Sequence, residues 1–340
     1  MASIKNTVIN DDSFIQLPRG NIDDRPSSPQ VGMLRFNTEL GRAEVWNGNK
    51  WAVFSFNPVQ ASGGNINEVE LAGTNYRIHA FTSIGNDTFT VSNPGSAGAV
   101  DVLIVAGGGS SDGDVAGAGG AGGLIFSQEQ PIDAQSYTIT VGDGGAEFDG
   151  DPRTTGESYP TGRNGDNSSA FGLTAIGGGR GGNYNTNNGG NGGSGGGSGG
   201  GTSFNSGGSG TTGQGNGGGD HDGGTSPQRS PGGGGAGAAG GNSSSSAGGA
   251  GGAGLYYGDI FSDSYGENGF FAGGGGGGYQ GSNTGAGGIG GGGDGKDRVT
   301  AFRGNDGLPN TGGGGGGNAH PHEGRAGGGS GVVLIRYQIG

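Results

Sequence analysis

Alternation of apolar and polar residues marks two stretches of this chain as strand-forming and leaves a third without any side-chain period. Near the start, residues 33–36 (Met-Leu-Arg-Phe) and 43–46 (Ala-Glu-Val-Trp) flank a turn around Gly41. Asn47-Gly48 then predicts a tight hairpin whose return strand is 50–54. Segments 17–20 and 25–29 read as extended, because proline disfavours the helical region for the residue before it. Further on, 76–82, 88–92, 100–106, 123–127, 136–141, 169–171 and 173–176 carry β-branched or aromatic residues between turn signals. The run Val102-Leu103-Ile104-Val105 is continuously apolar and predicts a strand buried on both faces.

From Gly177 to Gly331 the pattern changes. Glycine runs at 195–197, 232–235, 273–278, 290–293 and 312–317 are separated by polar or aromatic insertions at 184–188, 220–231, 255–271, 296–310 and 320–325. Strand chemistry returns at 332–337, Val-Val-Leu-Ile-Arg-Tyr, which is expected to pair back into the strand-rich region. The expected fold is therefore all-β. It comprises an N-terminal β-hairpin module (1–60), a β-sandwich domain (61–176), an inserted bundle of polyglycine II helices (177–331) and a closing C-terminal strand (332–340).

Composition explains why a polyglycine bundle is expected. Of 340 residues, 96 are glycine and only 28% are hydrophobic, so side-chain burial in the runs cannot offset the backbone entropy of ordering them. The absence of a strict Gly-X-Y period, with only 12 prolines, excludes collagen. What remains is dense hydrogen bonding between three-residue-per-turn helices that have no internal bonds of their own. A net charge of −13 leaves no basic footprint for nucleic acid and none for electrostatic attraction to anionic membrane. No cysteine is present, no run of apolar residues is long enough to insert in a membrane, and no secretory signal is visible at 1–14.

The residues 100–109 (VDVLIVAGGG), 119–126 (GGAGGLIF), 136–145 (SYTITVGDGG), 165–172 (GDNSSAFG), 173–182 (LTAIGGGRGG) and 328–337 (GGSGVVLIRY) resemble the glycine-rich domain common among phage tail-fibre and other virion proteins. Residues 17–20 (LPRG) and 25–51 resemble a short module at the start of phage fibre and appendage proteins. The resemblance implies a virion fibre or appendage assembled in the host cytoplasm. Its N-terminus would attach to other virion proteins through Arg35, Phe36, Trp46 and Trp51, and its glycine-rich domain would project to a host cell-surface receptor. It also implies a homotrimer and no catalytic residues or cofactor. A purely structural decoration protein is the competing expectation, and an ice-binding or matrix protein a distant third.

Individual motifs add little chemistry. G-x-G-x-x-G recurs through composition alone and lacks a βαβ setting. Residues 290–297 (GGGGDGKD) place Asp297 where a P-loop needs Ser or Thr. Residues 292–300 match a calcium nonapeptide, but as a single copy without the tandem neighbour that shares each ion. His320 and His322 beside Glu323 read as an exposed loop, with a metal site completed by symmetry as the alternative, and 220–222 (Asp-His-Asp) likewise reads as a solvated tip; no metal is expected. The candidate recognition loop is 255–271, which concentrates Tyr256, Tyr257, Phe261, Tyr265, Phe270 and Phe271 among acidic and small residues, the chemistry of a binding surface. The alternative is that these rings cap the glycine bundle or fill an interface.

Overall fold

The computed structural model describes residues 16–54, 56–113, 115–148, 162–184, 188–201, 203–224, 228–297, 303–319 and 324–339. Two compact units are present, Met1–Asn57 and Pro58–Gly340. In the first, β1 (Arg19–Gly20), β2 (Leu34–Asn37), β3 (Arg42–Trp46) and β4 (Trp51–Val53) form one sheet in that order. The Asn47-Gly48 turn sets the β3–β4 register, with Trp46 opposite Trp51 and Glu44 opposite Val53. Gly48 adopts φ +97°, which a residue with a Cβ reaches only under strain.

The second unit is a two-sheet sandwich with glycine-rich insertions. One sheet runs β10 (Leu124–Pro131), β9 (Ala99–Val105), β18 (Val332–Gln338), β7 (Thr74–Phe81), β6 (Asn65–Leu71). The other runs β13 (Leu173–Ala175), β12 (Ser168–Ala170), β11 (Ser136–Val141), β8 (Gly85–Asn93), β5 (Gln60–Ser62). The fold is all-β and sandwich-like. Phe81, Phe89, Val91, Val102, Ile104, Ile139 and Ile335 pack between the sheets as one core. β18 pairs antiparallel with both β7 and β9, so the last strand lies at the centre of its sheet. As the apolar run predicts, Val102 to Val105 are fully buried: alternate residues face the sandwich core and the sheet's other face. The pattern does not announce β6, because Asn-Ile-Asn-Glu-Val-Glu-Leu is a mostly exposed edge strand with little apolar alternation.

The glycine runs contribute neither strands nor α-helix; their order lies in the backbone bonding between runs. Along 117–123, every third residue addresses the same neighbour. Gly117, Gly120 and Gly123 donate to the carbonyls of Gly182, Gly179 and Ile176 at 2.9, 2.8 and 2.8 Å. Ala118 and Ala121 donate to Pro231 and Gly234 at 3.2 and 2.9 Å, and Gly119 and Gly122 to Gly315 and Gly312, both at 2.8 Å. A three-residue rotation with all donors directed outward is polyglycine II geometry. The same stepping recurs where Gly274 and Gly277 donate to Gly252 and Gly249, and where Gly273 and Gly276 donate to Gly290 and Gly293. Helices of both polarities interleave, and the lattice includes runs at 107–111, 117–123 and 142–145 that precede Gly177.

Three-fold symmetry also explains where side chains are admitted. Val115, Ala118, Ala121 and Leu124 recur at intervals of three, line one face of the 115–124 helix, and are all buried. The other two faces carry glycine throughout 117–123, because there the neighbouring carbonyls lie where a Cβ would stand.

Candidate functional site

The aromatic segment 255–271 folds against the sandwich, not away from it. β16 (Leu255–Tyr256) and β17 (Phe270–Phe271) pair as a two-stranded ribbon around a single helical turn, α1 (Gly258–Phe261). Phe261 and Phe271 are fully buried with Ile78, Leu103, Val105 and Leu334 on the face of β7, β9 and β18 opposite the sandwich core. Arg336 of β18 fastens the segment: its Nη1 donates to the Ile260 carbonyl at 2.6 Å, and its guanidinium lies 5.8 Å from the Phe261 ring centroid. Tyr257 meets Phe126 at 5.2 Å, and Tyr265 is half-buried in the same cluster. Burial pushes the hydroxyls of Tyr257 and Tyr265 above the ordinary phenol range.

Of the six aromatic candidates, only Tyr256 is exposed, its ring tilted against the half-buried Phe270 at 4.9 Å between centroids. The Tyr256 hydroxyl donates to Asp263 Oδ1 at 2.8 Å, and this bond, with the surrounding negative charge, pushes its pKa up to about 12. It stays a neutral donor at any physiological pH.

Other turns of the bundle gather at the opposite end. The helices 107–111 and 117–123 leave β9 and re-enter β10, so the turn between them stands about 20 Å from the sheets at 3.1 Å per residue. Around it, Gly200 donates to Val115 O at 2.9 Å, Asn318 Oδ1 accepts from Ala116 at 3.1 Å, and Asn183 Nδ2 donates to Asp112 Oδ2 at 3.2 Å. Gln280 donates to Gln228 O at 2.8 Å, and Asn283 Nδ2 to Ser246 O at 3.1 Å. β14 (Phe204–Asn205) pairs with β15 (His221–Asp222) in the same end. The described turn residues at 183–184, 203–206, 220–224, 228–230, 243–247 and 278–284 thus gather into a distal surface rich in Gly, Ser, Asn and Gln, with Asp112, Gly113, Val115 and Ala116 buried beneath it. From it Phe204 and Tyr184 protrude, 66% and 40% exposed.

His221 is buried, not part of a solvated tip. Its ring nitrogens meet Ser243 Oγ at 3.0 Å and Gly201 O at 3.1 Å, so it holds three turns together. Asp112 is fully buried nearby and accepts from Gly113 and Gly162 at 2.6 and 2.8 Å; burial raises its pKa despite these bonds. Among the described residues no group of three or more His, Asp or Glu side chains could hold a metal ion, and no helix is long and apolar enough to cross a membrane. The pair His320 and His322, with Glu323, lies outside the described residues, as do the last three positions of the 292–300 nonapeptide.

In the N-terminal unit the four attachment candidates divide. Arg35 is buried, 3.6 Å from the fully buried Glu44, which also takes Arg25 at 2.6 Å and Asn37 at 3.2 Å. The bond from Arg25 holds the Glu44 carboxyl below the ordinary range. Arg35 therefore organises the unit's interior. Trp46 and Trp51 are half-buried, their rings 5.8 Å apart, and Phe36 lies under Arg19 at 5.7 Å. Val31 and Phe54, which the sequence pattern does not single out, are the more exposed apolar groups of this unit.

A comparison with curated proteins finds no match. The model of the glycine-rich domain family matches residues 82–338, which spans most of the sandwich, the whole glycine lattice and nearly all of the closing strand. By that match, and by a fold in which glycine carbonyls and amides do the packing, the chain belongs to the glycine-rich domain family.

Proposed function

We propose that this chain is a non-enzymatic fibre or appendage protein of a bacteriophage particle, attached through its N-terminal unit and presenting the distal turns to a host cell surface. The observation that carries this reading is the distal surface itself. Phe204 and Tyr184 stand out from Ser, Asn and Gly turns on a scaffold stabilised by backbone bonds. Stiff aromatic contact area among adaptable polar groups suits recognition. Turn residues of such a scaffold can change without disturbing the bonds between helices. The burial of Phe261 and Phe271 supports a packing role for most of 255–271, and so favours the distal end as the recognition surface.

The resemblance of residues 17–20 and 25–51 to fibre attachment modules supports the proposed orientation, with Trp46, Trp51 and Phe36 contacting a particle protein. A homotrimer belongs to the same reading. Two experiments test it. Antibody labelling of particles should place residues 1–57 at the particle and the distal turns outermost. Labelled full-length chain should bind cells in a panel of bacterial strains, and Tyr184→Ser with Phe204→Ser should abolish binding while Tyr256→Phe retains it. Binding unchanged by the distal pair would refute the assignment of the recognition surface. A chain present on particles that binds no strain is a structural decoration.

A further inference from the structure

The flank of the glycine bundle carries an open cleft of about 810 Å³. Residues 287–289 and 292–294 and, on the returning stretch, 303–306 and Leu308 line it, and Glu267 reaches it from the aromatic segment. Three carboxylates on its walls are held alike, each with one oxygen on glycine N–H groups. Glu267 Oε2 accepts from Gly290 and Gly291 at 2.6 and 2.8 Å, Asp294 Oδ1 from Gly287 at 2.9 Å, and Asp306 Oδ1 from Gly327 at 2.7 Å. Among the described residues, the second oxygens of Glu267 and Asp294 have no partner, nor has the side chain of exposed Asn305. Ile289 and Leu308 expose aliphatic surface in the same cleft, at 45% and 46%.

Charge and polarity decide what such a cleft accepts. Three carboxylates face one guanidinium, and that guanidinium is already engaged: Arg303 donates to Asp306 and, at 3.0 Å, to Glu147. Phosphate, sulfate and carboxylate ligands would be repelled. The described residues assemble no metal cluster here. A wholly apolar ligand would strip water from the carboxylates without replacing its bonds. Hydroxyl groups on a carbon frame meet every requirement. They donate to carboxylate and amide oxygens, accept from the amide nitrogen, and leave C–H faces for aliphatic side chains.

We propose that this cleft binds a neutral oligosaccharide. Sugar hydroxyls donate to the free oxygens of Glu267 and Asp294 and exchange bonds with the Asn305 amide, while Ile289 and Leu308 pack against the ring C–H face. The volume lies within the roughly 300–1,000 Å³ of small-molecule sites. Because glycine amides already fix the carboxylates, little side-chain freedom is lost on binding. This site is separate from the distal surface and goes beyond the recognition proposed there.

Saturation-transfer NMR of the full chain with maltotriose, mannotriose, N-acetylchitotriose and globotriose, and with sialyllactose as the anionic comparator, tests it. At least one neutral trisaccharide should take saturation, with its affinity falling about tenfold or more in Asn305→Ala and in Ile289→Ser. Among the described residues the Asn305 side chain makes no hydrogen bond, and its backbone bonds survive in alanine, so an unchanged melting temperature in that variant separates lost binding from lost fold. Phe204→Ser should leave sugar binding intact. Saturation of sialyllactose alone, of none of the sugars, or of a neutral sugar equally in the Asn305→Ala/Ile289→Ser double variant would overturn the proposal. So would stabilisation by Ca²⁺ with no effect of sugar. Cell binding abolished by Phe204→Ser in a chain whose cleft takes no sugar would leave the distal reading standing and this one refuted.

Discussion

Replacing Gly119 by alanine should loosen the glycine lattice at its centre. A Cβ built there stands 2.6 Å from the carbonyl carbon of Gly109 and closer still to its oxygen. Ordinary C···O contacts lie at about 3.3–3.6 Å, so the 107–111 helix must retreat by roughly 1 Å. That retreat stretches the bonds Gly109 N to Gly120 O and Gly315 N to Gly109 O, now 2.8 and 3.0 Å, toward 4 Å. At about 0.5–1.5 kcal/mol net for each bond, the loss is roughly 1–3 kcal/mol. Reduced freedom of the unfolded chain offsets about 0.4–1 kcal/mol of it. Gly217→Ala is the matched control. The one atom near its Cβ is Gly208 O, at 3.3 Å, so it should be neutral or gain that same entropic increment. Differential scanning calorimetry of the full chain suits the measurement, because both tryptophans lie in the N-terminal unit and do not report on the lattice. Equal melting temperatures for the two variants would refute the reasoning, since the bundle would then owe nothing to close approach of its backbones.

Other expectations follow from the buried groups. His79 is fully buried, with Nδ1 on Gly63 O at 2.7 Å and Nε2 on the Tyr337 hydroxyl at 2.9 Å, and burial depresses its pKa below 6.5. Its stability contribution is therefore complete above pH 6.5 and lost as pH falls toward the depressed value; melting curves across that range should flatten in His79→Phe. Phe261→Ala should destabilise the Pro58–Gly340 unit by about 3–5 kcal/mol, read by the same calorimetry, because the ring fills the space between the aromatic segment and β9. Glu44→Ala strands Arg25 and Arg35 in the small N-terminal unit. Nearby water screens the pair, so about 2 kcal/mol is expected, at the low end for buried charges, followed by tryptophan fluorescence in urea. With its pKa depressed, Glu44 stabilises that unit above the ordinary carboxylate range and ceases to as pH falls through the folded value.

Local pattern was enough for the strands, because a strand's identity rests on period-two alternation and turn residues that neighbours in sequence supply. The Asn47-Gly48 hairpin, the doubly buried 102–105 run and the return of 332–337 to the sheet were legible on those grounds. Glycine content likewise required a backbone-bonded architecture, since nothing else could offset the entropy of so many glycines. The neighbours of each run were not legible. Polyglycine helices differ in no side chain, so their pairing is decided by which turns connect them and by sparse marks such as Ala118 and Ala121. The fate of the aromatic segment was equally hidden. Tyr and Phe among acidic and small residues look alike in sequence whether they meet a partner or cover a sheet, and only the outer face of β7, β9 and β18 decided for burial of Phe261 and Phe271. Arg35 teaches the same lesson at smaller scale: an arginine between strand residues gives no sign that a buried glutamate stands opposite it. Side-chain chemistry is local, but the surface it meets is set by contacts distant in sequence, and these exist only once the chain has folded.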